Sequence, residues 1–288
     1  RPLVFADNDK PGVMLAGALR SYVNRFGIAP GKKVAIFTNN DDAYRSALAL
    51  DDAGIEVAAV IDLRKDTNGD LADAVVARDI TVLDGWAVTA VNGSRDVTSI
   101  EVRELSEEGD QVQGAARRIE CDVLGSSGGW NPVVHLHSQS GAKARFDESI
   151  QSFVPGDSVQ AERSAGAANG AFALADCLAE GHNAGKAAAK EAGFSPSRHK
   201  QPQADRLNES PLEALWIVPT DNVSDRSKGF GSKHFIDIHS DVTVADVASG
   251  QCAVGYGREG RSEGGGADGR NRIAQRLGQR GQQIFLQV

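Results

Sequence analysis

Residues 33–62 read Lys-Val-Ala-Ile-Phe-Thr-Asn-Asn-Asp-Asp-Ala-Tyr-Arg-Ser-Ala-Leu-Ala-Leu-Asp-Asp-Ala-Gly-Ile-Glu-Val-Ala-Ala-Val-Ile-Asp. Within Lys33 to Thr38 the apolar run Val34-Ala35-Ile36-Phe37 reads as a strand buried on both faces. Asp41 to Gly54 reads as a helix with a glycine stop, and Ile55 to Asp62 as a second strand ending in a carboxylate. A strand, a helix and a strand joined by such short connections are what a right-handed parallel crossover requires. The predicted fold is α/β and Rossmann-like. Thr38 and Asp62 lie 24 positions apart, near the spacing of about 20 between a dinucleotide loop and the carboxylate that holds a ribose hydroxyl.

The loop chemistry departs from that pattern. Where G-x-G-x-x-G would stand, the sequence has Thr38-Asn39-Asn40-Asp41-Asp42-Ala43. Without glycine the backbone cannot approach a pyrophosphate closely, and two carboxylates at a helix N-terminus repel phosphate. Asp41 reads as a helix cap. Two readings of this loop stay open: a nucleotide site, or a structural Rossmann unit that has lost it.

Working outward, Leu3-Val4-Phe5-Ala6 is a short apolar stretch that stops at Asp7-Asn8-Asp9. Pro11 opens a segment with Val13, Leu15, Leu19, Tyr22, Val23 and Phe26 at near-helical spacing, closed by Gly27 and Pro30. Residues 79–120 alternate apolar and polar positions around Asn92-Gly93, a hairpin signal, and the chain is expected back in the main sheet at Ile119 to Leu124. The turn-rich run from Gly125 to Pro132 follows directly, at the edge of a parallel sheet where ligands sit.

A second loop leads into an alanine-rich helix. Ser164-Ala165-Gly166-Ala167-Ala168-Asn169-Gly170 has small residues that allow close backbone approach, and the helix behind it runs through Phe172, Leu174, Leu178 and Ala187 to Gly193. With no carboxylate in the expected first turn, this helix N-terminus suits a phosphate. Tight packing of an alanine-rich helix on a sheet accounts for the same composition.

The composition bounds the function. The 288 residues are 41% hydrophobic and 24% charged with a net charge of −8, which excludes wholly disordered and collagen-like classes and argues against a nucleic-acid partner. No apolar run approaches the roughly 18 residues of a membrane span. Arg1 to Lys10 lacks the apolar core of a signal peptide. Three widely spaced cysteines, Cys121, Cys177 and Cys252, fit a reducing, cytoplasmic setting, and no Cys-x-x-Cys is present for dithiol chemistry. His135 and His137 would share one face of a strand, but nothing nearby has zinc-ligand spacing, so hydrogen-bonded histidines are expected and no metal site is assigned.

Residues 1–16, the loop Thr38 to Tyr44 and the stretch Ser127 to Gly141, in that order, resemble the alpha subunits of heterotetrameric sarcosine oxidase; the resemblance covers about residues 1–248. It implies tandem Rossmann-like dinucleotide-binding domains, one inserted in the other. Residues 1–30 and 119–200 would form the outer domain, truncated at its N-terminus, 31–118 the insert, and 201–248 a linker and the start of a small module. The resemblance further implies NAD on this subunit, held by Gly166, Ala167, Ala168, Asn169, Gly170, Phe172 and Leu174, with FAD as the alternative. Gly166-Ala167 stands where FAD-binding relatives have Gly-Asp. It implies beta, gamma and delta partner subunits, with FAD, FMN and tetrahydrofolate in the full complex, and oxidative demethylation of sarcosine to glycine with hydrogen peroxide and methylenetetrahydrofolate as products. No catalytic residue is expected on this chain. Related amine dehydrogenases, with a dye or quinone as acceptor, and a non-catalytic pyridine-nucleotide module are the competing readings.

Residues 233–247 resemble the start of a small iron-sulfur module, but Asp237 and His239 replace its Cys-x-Cys, so no cluster is expected. After Ala248 the resemblance ends. Residues 249–288 hold ten glycines and six arginines against Glu259, Glu263 and Asp268. That is a charge of +3 beside −11 on the rest, and a disordered tail, the product of a frameshift or misassembled gene end, is expected there.

Overall fold

The computed structural model describes residues 1–195, 199–219 and 233–248. The chain divides into two compact units, and the larger comprises Pro2–Gly128 with the described residues from Glu213 onward.

The larger unit starts with β1 (Val13–Leu15) and α1 (Ala16–Phe26), continues through β2 (Lys33–Thr38), α2 (Asp42–Asp52), β3 (Glu56–Asp62) and α3 (Asp70–Val76), and reaches β4 (Val82–Asp84). Three antiparallel strands follow, β5 (Trp86–Asn92), β6 (Ser99–Leu105) and β7 (Val112–Glu120), before β8 (Val123–Ser127) returns to the main sheet. That sheet has the order β1-β8-β2-β3-β4 and is parallel throughout. The strand-helix-strand reading of residues 33–62 therefore holds, with boundaries within a residue or two. The segment after Pro11 divides differently: Val13-Met14-Leu15 is extended because it pairs with Leu124-Gly125-Ser126, and the helix starts only at Ala16. Gly27 closes it at φ 62°, donating its N–H to the Val23 carbonyl.

One apolar stripe from each helix faces the sheet. Ala16 and Leu19, then Ala43, Tyr44, Ala47 and Leu50, then Leu71, Ala72 and Val75 pack with Val34, Ile36, Val57, Val60 and Val123 in a single core. The i, i+3 and i, i+4 spacing within each helix puts these residues on one face, and each large side chain so buried contributes about 1.5–3 kcal/mol. Asp122 fixes the base of the sheet by accepting the N–H groups of Lys32 and Lys33 at 2.8 and 3.0 Å.

The smaller unit comprises Arg1 and Gly129–Leu212. It holds α4 (His135–Gln139), an antiparallel hairpin of β9 (Ala144–Asp147) and β10 (Ser152–Pro155), a 3₁₀ turn at Gly166–Asn169 and the long helix α5 (Leu174–Glu191). Phe146 and Phe153 meet edge-on across the hairpin, their centroids 5.4 Å apart. No residue of α5 is fully buried. Back in the larger unit, β11 (Phe235–Asp237) and β12 (Val242–Thr243) pair antiparallel ahead of α6 (Val244–Ala248).

Residues 13–26 and 123–127 share the sheet and core of 33–84, so the compact units part at Gly128 and Leu212. The expected tail, 249–288, lies outside the described residues.

Two outcomes test this packing. A Cβ on Gly125 would lie 2.6 Å from the Leu19 Cδ1 atom, so Gly125→Val is expected to cost about 1–3 kcal/mol in urea unfolding through overpacking at the α1–β8 contact. Burial, then the neighbouring Asp122 charge, pushes the Cys121 thiol up to about 11. Peptide mapping after iodoacetamide treatment at pH 8 should find Cys121 unlabelled in the folded protein and labelled in urea.

Candidate functional site

The carboxyl ends of β2 and β3 form the edge at which parallel sheets present ligands. Thr38 closes the loop after β2 on itself: its Oγ1 accepts the Asn40 N–H at 3.0 Å and donates to the Asn40 carbonyl at 2.9 Å. The Asn40 Oδ1 atom accepts the Asp42 N–H at 3.1 Å, and its Nδ2 donates to the Ser127 carbonyl. Asn40 thus serves the first turn of α2, and the capping role expected of Asp41 falls to its neighbour. Asp41 makes no such bond.

Asp41 turns instead to Arg64, whose Nη1 lies 2.6 Å from its Oδ1. Arg64 also grips Asp62: its Nε and backbone N–H donate to Oδ1 at 3.0 and 2.9 Å, and its Nη2 to Oδ2 at 2.7 Å. Tyr44 Oη donates to the same Oδ2 at 2.9 Å. Asp62 and Tyr44 are fully buried and Arg64 is 5% exposed. Burial alone would lower the Arg64 pKa, but its hydrogen bonds and the charges of Asp62 and Asp41 outweigh this and raise it above the ordinary guanidinium value. Burial and the adjacent Asp62 charge likewise raise Tyr44, which stays a neutral donor.

A carboxylate offers about four lone-pair sites. Asp62 accepts four hydrogen bonds, all from within the protein. The carboxylate at the ribose position therefore has no acceptor left for a ribose diol, and no glycine precedes α2 to admit a pyrophosphate. The residues at this edge do not fit a dinucleotide. The sequence signal for it is the short Asp62-x-Arg64 spacing.

The second loop has a different geometry. Gly166–Asn169 is a 3₁₀ turn separate from α5, with Gly166 at φ 66° and Gly170 at φ 92°. Glu180 Oε2, from the second turn of α5, accepts the Gly166 N–H at 2.8 Å and an Asn169 Nδ2 proton at 3.2 Å. Gly170 sits against the hairpin, where a Cβ would meet Ile150 at 2.9 Å and Val154 at 3.0 Å. The helix proper starts at Leu174, so Asp176 lies in its first turn, paired with Arg206. Ala167, Asn169, Phe172 and Leu174 are exposed, while Gly166 is buried and Ala168 and Gly170 are half-buried. The turn leaves Ala167, Phe172 and Leu174 exposed, but Asp176 places a carboxylate in the first turn of α5, against the carboxylate-free first turn expected from the sequence.

His135 and His137 lie on a helix, not a strand. His135 is exposed; His137 is buried, with Nδ1 at 2.8 Å from Glu162 Oε1 and Nε2 accepting the Gly156 N–H at 3.0 Å. The accepted bond at Nε2 selects the tautomer with its proton on Nδ1. Asp237 Oδ1 accepts the N–H groups of His239 and Ser240 at 2.9 and 3.2 Å, closing the turn between β11 and β12. Among the described residues no group of three or more His, Cys, Asp or Glu could hold a metal ion, and no helix is long and apolar enough to cross a membrane.

No family model matches the chain. Sequence comparison decides the family: the chain is 41% identical over 261 residues to the sarcosine oxidase subunit alpha of Corynebacterium sp. strain P-1. Its sequence places it among the sarcosine oxidase alpha subunits. The subunit alpha of Rhizobium meliloti strain 1021 is 33% identical over 250 residues. These matches take in 90% and 86% of this chain but 26% and 23% of the relatives, so the chain spans about a quarter of their length. Among solved structures it is similar to L-proline dehydrogenase from P. horikoshii, at 17% identity and a TM-score of 0.45 over 75% of this chain and 41% of that one. It is also similar to FprA from Mycobacterium tuberculosis in complex with NADPH, at 14% identity and a TM-score of 0.42 over 69% and 64%.

Arg64→Ala would leave Asp41 and Asp62 buried without their cation and is expected to cost about 3–5 kcal/mol. Tyr44→Phe removes one hydrogen bond to a charged group and should cost about 1.5–3 kcal/mol. Urea unfolding of both variants checks the order; equal, sub-kilocalorie effects would contradict the reading of the cluster.

Proposed function

We propose that this chain is part of the alpha subunit of a heterotetrameric sarcosine oxidase and serves it as a nucleotide-binding scaffold. The observation that carries this reading is the 41% identity to a sarcosine oxidase subunit alpha over 90% of the chain. In the complex, sarcosine would be demethylated to glycine, with hydrogen peroxide and, in the presence of tetrahydrofolate, methylenetetrahydrofolate as products. Beta, gamma and delta subunits would be the partners, and FAD and FMN the redox groups of the assembly.

On this chain the ligand would be NAD. The backbone of Gly166, Ala168, Asn169 and Gly170 would shape the turn, and Ala167, Phe172 and Leu174 would supply its apolar contacts. The exposure of Phe172 and Leu174, at 40% and 64%, supports this reading, because large apolar side chains left open beside a helix N-terminus suit a planar ligand. Ala167 in place of an aspartate favours NAD over FAD, since an FAD ribityl chain would lose its carboxylate partner. A bound nucleotide supplies hydride chemistry or a purely structural anchor; the residues of this chain bind and orient it.

Mass spectrometry of nucleotides released from the co-expressed heterotetramer tests the assignment. NAD is expected in stoichiometric amount with this subunit, and Leu174→Asp should reduce its retention by about tenfold or more, equivalent to about 1.4 kcal/mol. FAD without NAD on the alpha chain would overturn it.

A further inference from the structure

We propose that the carboxyl edge of the parallel sheet in the larger unit is a dinucleotide site converted into a docking edge for the chain's own backbone. The proposal concerns a different unit from the Gly166–Gly170 turn and does not rest on the NAD reading.

Two substitutions of protein for ligand make up the conversion. At the ribose position Arg64 takes every free acceptor of Asp62 that Tyr44 leaves, and it holds Asp41 with its remaining arm. At the pyrophosphate position the loop Thr38–Asn40 reads a peptide. Asn39 Nδ2 donates to the carbonyls of Glu213 and Leu215 at 2.8 and 3.2 Å, and the Asn39 carbonyl accepts the Glu213 N–H at 3.1 Å. Asn39 is fully buried, so these bonds replace water at a position where a ligand backbone would otherwise run.

The incoming segment is locked on its far side. Trp216 Nε1 donates to the Gly128 carbonyl at 2.8 Å, just past the end of β8. The Val4 N–H donates to the Trp216 carbonyl at 2.7 Å, and the Val218 N–H to the Val4 carbonyl at 2.9 Å, a parallel bridge between two extended segments. Leu3 in turn donates its N–H to Ser126 Oγ, and Phe5 meets Phe37 edge-on at 5.5 Å. Residues 3–5 and 213–218 thus close over the ends of β2 and β8. Neutral side-chain amides suit this role better than glycines do. They offer directed donors to carbonyls, whereas a phosphate cradle needs bare N–H groups and room.

Hydrogen exchange of the whole chain, alone and with saturating NAD, NADH or FAD, tests the proposal. Amides of residues 38–44 and 60–66 are expected to change by less than about twofold with any nucleotide, while Asn39→Leu should speed exchange in 213–218 by about tenfold, two hydrogen bonds being lost there. Should that variant fold poorly, Trp216→Phe removes one bond only and should act in the same direction. Nucleotide-dependent slowing in 38–44 and 60–66, or unchanged exchange of 213–218 in both variants, would overturn it. Slowing confined to 166–176 supports the NAD reading separately, and its absence there counts against that reading alone.

Discussion

A single guanidinium, that of Arg64, sets the character of the larger unit. It lies at the end of β3 between two buried carboxylates, and each of the three groups would be costly in the protein interior without the others. Desolvating one ion costs several kcal/mol, recovered only when geometry and hydrogen bonding are complete. At Asp62 they are complete: it accepts four bonds, one of them from Tyr44 on α2. Because Asp41 precedes α2, Tyr44 lies within it and Asp62 ends β3, the cluster ties the helix and the loop before it to β3. The crossover that defines the fold is thereby fixed at its ligand edge rather than only along its apolar face.

That choice leaves the ligand edge of the larger unit occupied by protein groups. The larger unit keeps the architecture, with its parallel sheet, short crossovers and terminal carboxylate, but spends the carboxylate internally. The smaller unit has no such sheet among its described residues, yet exposes Phe172 and Leu174 where a helix begins.

The sequence made the architecture legible and left the site only half so. The run Val34–Phe37, the helix after Asp41 and the strand ending at Asp62 could be read because buried parallel strands and capped helices leave local patterns. The absence of glycine after Thr38 was legible as a departure from the usual phosphate loop. What replaced the ligand was not legible, because Arg64 meets Asp41 across a helix and Asn39 meets Glu213 across 174 residues, and neither pairing has a local signature. Val13-Met14-Leu15 is illegible for the same reason: its strand state depends on β8, more than a hundred residues on. At Gly166–Gly170 the small residues were visible, but the separation of the turn from α5 was not. That separation rests on Gly170 packing against the β10 hairpin and on Glu180 reaching back to the Gly166 N–H.

The account stands most directly on where a nucleotide goes when it is offered to this chain. A crystal structure of the chain soaked in millimolar NAD, refined for density at both positions, measures that. The account predicts Arg64 still lodged between Asp41 and Asp62, with no nucleotide at the ends of β2 and β3. Density for a ribose on Asp62, with Arg64 displaced toward solvent, would contradict it.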